Sequence, residues 1–198
     1  RQRQMCIRDS TEDDWGRIKK IVRYLKGCPR YVKRFRYQED PRAITAWSDS
    51  DFAGCLKTRK SNSGGLVCLG EHVIRSWSTT QAVTALSSGE AEYYALVKAA
   101  SQSIGIKRMM QDLGHGKEEV IEIKTDASAA IGIASRIGIG KVRHIEVNTL
   151  WLQEKVFKGD VVITKVGTNE NLADALTKAV SSDVLKAHVH MSGCWSVW

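Results

Sequence analysis

The sequence predicts an α/β fold built on a mixed five-stranded sheet, part antiparallel meander and part parallel, with helices flanking it. Three observations carry this. Short strand-like runs at Arg42–Ser48, 64–69 and Val73–Trp77 are separated by turn residues, the spacing of a meander. From about Leu86 to Leu113, Leu86, Tyr93, Val97, Ala100 and Ile104 fall on one helical arc. Further strands at Val120–Lys124 and Val161–Val166 then alternate with helical patterns, an order that lays helices against a mixed sheet.

Taken in order, residues 1–12 are a ragged leader with neither the apolar core nor the cleavage pattern of a secretory signal. Trp15, Ile18, Ile21, Val22 and Leu25 recur every three or four residues, giving one amphipathic helix over 13–26 that Gly27 and Pro29 end. Arg30 to Tyr37 alternates like a strand with a basic face. Such a face serves either a nucleic acid or the protection of a sheet edge. Asp51 to Ser63 is a polar loop, Ser128–Ser135 a short helix of small residues and Ile137–Val142 a Gly-rich basic loop. Arg143–Phe157 reads as a second amphipathic helix and Asn171–Val180 as a last one, while Cys194 to Trp198 fits no element.

Composition narrows the class. At 198 residues, with 42% hydrophobic and 26% charged residues, the chain suits one core with a small appendage, and no apolar run is long enough to span a membrane. Lys and Arg number 30 against 22 acids, a net +8 that points to an anionic partner, nucleic acid first, or to solubility alone. Five cysteines without a C-x-x-C pair argue against a disulfide framework and against a zinc module, and fit a reducing intracellular setting.

The chemistry resides in acids at element ends: Asp49 and Asp51 closing the strand of Trp47, Glu90 and Glu92 early in the long helix, Asp126 after a strand, and Asp174. Singly, each has a plain explanation, such as a helix cap for Asp126 or a solvated charge for Asp174. Gathered together they would repel by about 4 kcal/mol per pair at 4 Å, so they would either hold protons or hold cations. Magnesium suits an oxygen-only cluster, and two such ions hydrolyse phosphodiesters. Glu90 and Glu92 lie about 200° apart on a helix and cannot both face one site; helix phase slightly favours Glu90.

The succession SDSDFAG, RKSNSGG, SWSTTQ, ALSSGEAEYYAL, KTDASAAIGI, KVRHIEV and NLADALTK closely resembles the ribonuclease H domain of Copia-type LTR-retrotransposon Pol polyproteins. DDWGRIKKIVRYLKGCP looks like the helical segment joining the reverse transcriptase to that domain, so the resemblance covers about Asp13 to Ala179. It implies a ribonuclease H-like fold over 41–180, a helix and strand of the reverse transcriptase connection over 13–40 and a tail over 181–198. It also implies cleavage of the RNA strand of an RNA–DNA hybrid, with two Mg2+ ions (or Mn2+) on Asp49, Glu92, Asp126 and Asp174. The match of Ala91-Glu92-Tyr93-Tyr94-Ala95-Leu96 selects Glu92 over Glu90.

Ser50, Ser87, Ser88 and Gly89 are then candidates to approach the minor groove, where RNA shows its 2′-hydroxyl, and Lys57, Arg59, Lys60, Lys141 and Arg143 candidates for phosphates. His144 either contacts phosphate or caps a helix. The implied partners are the hybrid and the reverse transcriptase portion of the same polyprotein, in a cytoplasmic virus-like particle or the nucleus. Phe52 stands where the family commonly has tryptophan, Gly65 where it often has an aromatic, and residues 167–170 hold no histidine. His188 and His190 make a weak metal pair. A non-catalytic remnant that only binds hybrids, and a nuclease of another specificity on the same architecture, stay open as alternatives.

Overall fold

The computed structural model describes residues 11–39, 43–55, 57–115, 120–138 and 150–196, and the chain divides into two compact units, 36–192 and 1–35 with 193–198.

In the smaller unit, α1 (Glu12–Gly27) starts at Thr11, whose hydroxyl accepts from the Asp14 N–H while the Asp14 carboxylate accepts from the Thr11 N–H. This reciprocal cap and three acids in the first turn oppose the helix dipole. None of its residues is buried. β1 is shorter than the expected 30–37 strand, only Tyr31–Lys33, and it pairs antiparallel with β7 (Cys194–Ser196), a strand that the sequence left unassigned. Three-residue strands carry too little periodicity to be read from one chain, and only the pairing defines them.

The larger unit contains the expected mixed five-stranded sheet. β2 (Ala43–Asp51) pairs antiparallel with β3 (Asn62–Leu69), which pairs antiparallel with β4 (His72–Thr80). On its other side β2 runs parallel to β5 (Val120–Thr125), and β5 parallel to β6 (Val161–Lys165). The order is therefore β4-β3-β2-β5-β6, with β2 in the centre.

Strand alternation sorts the core onto two faces. Ile44, Ala46, Val67, Ile121, Ile123 and Val161 form one layer with α2 (Ser88–Asp112), α3 (Ser128–Ala134) and α4 (Trp151–Phe157). α2 begins at Ser87, whose hydroxyl accepts from Glu90 N–H, and ends before Gly114, which adopts φ +84°. Its buried side is mostly alanine, Ala91, Ala95, Ala99 and Ala100, so its axis lies close to the sheet while Tyr93 and Leu96 fill the gaps, each burial contributing about 1.5–3 kcal/mol. On the opposite face Leu66, Cys68 and Val73 pack with Leu172, Trp47 and Leu176.

The expected helix over Asn171–Val180 is instead a run of tight turns, with 3-10 segments at Thr168–Glu170 and Asp174–Leu176. The Asn171 side chain accepts from Ala173 N–H, a local bond that competes with helix formation. A true helix, α5 (Ser182–Met191), follows from an N-cap at Ser181. Its signal was present in Val184, Leu185, His188 and Val189, spaced as a helical face. Of the expected 143–157 helix, α4 accounts for the last turns, and 139–149 lie outside the described residues.

Candidate metal centre

Parallel pairing brings the first two acids side by side. The last paired residues of β2 and β5 are Trp47 and Lys124, and Asp49 and Asp126 each stand two residues beyond them. Alternation turns Asp49 to the same face as Trp47, the face that the 171–177 turns cover. Asp174 opens the second 3-10 turn and completes the group. Asp49, Asp126 and Asp174 each offer a carboxylate oxygen within 4.8 Å of the others, with Asp49 and Asp174 buried and Asp126 half-buried.

Two devices hold the Asp174 turn down. Asn171, fully buried, donates from Nδ2 to the Ser48 carbonyl at 3.0 Å, tying the turn to β2 beside Asp49. Gly64 pairs with Asp49 across the β2–β3 ladder, and a Cβ there would lie 2.6 Å from Thr177 Cγ2 and 2.9 Å from Leu176 Cβ. Only glycine lets the turn come this close. Thr177 Oγ1 then donates to Asp49 Oδ2, and Lys178 Nζ lies 3.0 Å from Asp174 Oδ2 and 3.9 Å from Asp49 Oδ1. The sequence reading missed Asn171, Thr177 and Lys178. All three sit in the NLADALTK motif that supplied Asp174, yet nothing in their spacing says what they touch.

The two glutamates of α2 separate. Glu90 is buried, accepts from Leu86 N–H at 2.8 Å and from Tyr94 Oη at 2.9 Å, and so secures the start of the helix. Helix phase favoured Glu90 because it lies on the apolar arc, but that arc faces the core rather than the acids. Glu92 Oε1 accepts from Ser50 N–H at 3.2 Å, which sets this carboxylate beside β2, one residue from Asp49. Asp51 closes the β2–β3 loop instead, its carboxylate accepting from the Asn62 backbone N–H and from Asn62 Nδ2.

Burial is the main cause of the electrostatics here. It pushes Asp49 up to about 6, against the Thr177 hydrogen bond and the Lys178 charge, with Asp174 and Asp126 adding to the rise. Burial first and the charge of Asp49 second push Glu92 up to about 8. At 4.8 Å each pair of carboxylates repels by about 3.5 kcal/mol. Two buried oxygens, Asp174 Oδ1 and Glu92 Oε2, meet no hydrogen-bond donor among the described residues. A buried oxygen-only donor set with spare acceptors fits a hard divalent cation.

The remaining candidates are distributed around this point. Ser50 follows Asp49 on β2; Ser87 caps α2, and Ser88 and Gly89 form its first turn. Lys57 and Arg59 are exposed in the β2–β3 loop, and Lys60 Nζ donates to the Ala82 carbonyl at 2.5 Å. Lys141, Arg143 and His144 lie outside the described residues. His188 is buried and His190 exposed on α5, and neither joins a metal-ligating group among the described residues. Nor is any described helix long and apolar enough to cross a membrane.

No family model matches the chain. It is 35% identical over 171 residues to the retrovirus-related Pol polyprotein from transposon TNT 1-94 of Nicotiana tabacum, covering 85% of this chain and 13% of that protein. To the corresponding polyprotein from transposon RE2 of Arabidopsis thaliana it is 31% identical, over 86% of this chain and 12% of that protein. Among solved structures it is similar to the N-terminal RNase H domain of a Mycobacterium tuberculosis protein, with 16% identity, a TM-score of 0.48, and coverage of 75% of this chain and 96% of that one. Over most of its length the chain is a homologue of one segment of the retrovirus-related Pol polyproteins of transposons.

Proposed function

We propose that this chain is the ribonuclease H domain of a Copia-like Pol polyprotein, an endonuclease that hydrolyses the RNA strand of an RNA–DNA hybrid and leaves a 5′-phosphate. The observation that carries the reading is the convergence of Asp49, Asp126 and Asp174 from three separate elements, two of them buried, on one point. Carboxylates taken out of water and set this close together need a cation to compensate them.

Asp49, Glu92, Asp126 and Asp174 would hold two divalent ions, Mg2+ with Mn2+ as a substitute. Bound there, such ions supply an activated water and neutralise charge at the leaving oxygen. The chain's own part is positional. Asn171 and Gly64 fix the Asp174 turn over Asp49, and the Ser50 N–H orients Glu92. Ser50, Ser87, Ser88 and Gly89 are small enough to admit a minor groove, and Lys57, Arg59, Lys60, Lys141, Arg143 and His144 are the groups offered to phosphate. The reverse transcriptase portion of the same polyprotein is the proposed neighbour in the longer chain.

Hybrid cleavage with Mg2+, EDTA and duplex-DNA controls tests this reading. Asp126→Asn should lower the rate at least ~100-fold, the scale of losing a group used in the transition state. Equal rates for parent and variant would refute the site; hybrid binding without cleavage by the parent would favour the binding remnant.

A further inference from the structure

We propose that the Lys178 ammonium is the centre's own counter-cation, which a divalent ion has to displace, so that this side chain sets the affinity for metal. The inference rests on the reading of the carboxylates as metal ligands and concerns what occupies their oxygens before metal arrives.

Lys178 bridges the two buried members of the triad, at 3.0 Å from Asp174 Oδ2 and 3.9 Å from Asp49 Oδ1. Among the described residues, the ion pairs made by the triad come from this side chain. Its root is fixed, because Lys178 N–H donates to the Asp174 carbonyl at 3.0 Å. The side chain is 45% exposed, so solvent is open to its head if a cation takes its place. Thr177, one residue earlier, donates to the other oxygen of Asp49.

An ammonium and a hard dication compete for the same carboxylate oxygens, because each needs them at close range and like charges exclude one another. Without metal, Lys178 offsets part of the repulsion among the acids. When metal binds, that offset is surrendered, and apparent metal affinity falls by the strength of the lost pair. An exposed pair would hardly register. Here both acceptors are buried and other acids stand beside them, so the expected effect is about tenfold in Kd.

Titration calorimetry of EDTA-stripped protein with MgCl2 and MnCl2 at fixed low salt reads this directly, without substrate. Lys178→Met should bind metal about tenfold more tightly than the parent, with Lys178→Gln alongside in case methionine disturbs the turn. Lys178→Arg keeps the cation and should stay near the parent. Lys158→Met removes a charge paired with Glu154, just before β6 and so at the end of that strand away from Asp126; it should change nothing and controls for net charge. Equal or weaker binding by both neutral variants overturns the proposal. If Asp126→Asn abolishes binding while the Lys178 variants match the parent, the metal centre stands and only this inference fails. If the parent binds no divalent ion, both fail together.

Discussion

Glu92→Gln should change how the stability of the metal-free protein depends on pH. The folded chain holds the Glu92 carboxyl up to about 8, against 4.5 for a free glutamate, through burial first and the Asp49 charge second. The sign follows from proton counting. Between these two values the folded state keeps a proton that the unfolded chain has released, so stability falls as pH rises through the window and levels off above it. One proton corresponds to about 1.4 kcal/mol per pH unit. From pH 5 to 7 that is nearly 3 kcal/mol, reduced to about 2 kcal/mol by relaxation and water near a carboxylate that is only partly enclosed. Glutamine has nothing to titrate and should remove this part of the slope. Urea unfolding in EDTA at pH 5, 6, 7 and 8 measures it; with a slope near 2 kcal/mol per M, the parent midpoint should drop about 1 M more than the variant's. Identical pH slopes for parent and Glu92→Gln would refute the placement of Glu92 in a half-buried, acid-flanked position.

Two more perturbations address how the Asp174 turn is held. Asn171→Ala strands the Ser48 carbonyl and the Ala173 N–H in a fully buried position, and should cost about 1–3 kcal/mol in urea unfolding and weaken divalent-ion binding in calorimetry. Unchanged ion affinity would mean that this tie does not position Asp174. Gly64→Ala sets a Cβ 2.6 Å from Thr177 Cγ2, so the turn must lift; a loss of about 1–3 kcal/mol is expected, with ion affinity falling as well, and a variant as stable as the parent would contradict the close approach.

The sequence alone determined the sheet and its long helix, because their periodicities extend over enough residues to be read without tertiary contacts. It also supplied Asp49, Asp126 and Asp174, through motifs that closely resemble a known family. Between Glu90 and Glu92 helix phase favoured Glu90, but phase reports which residue is buried, and burial at Glu90 secures a helix start. The 171–180 stretch was misread as a helix, since the bond that competes with it, from the Ala173 N–H to the Asn171 side chain, is a side-chain choice. Only the tertiary structure decided that parallel register sets Asp49 and Asp126 level, that a glycine on β3 admits the Asp174 turn, and that Lys178 lies across the two buried acids. Each depends on atoms far apart in the chain meeting within a few ångströms, and no spacing along one strand or helix encodes that distance.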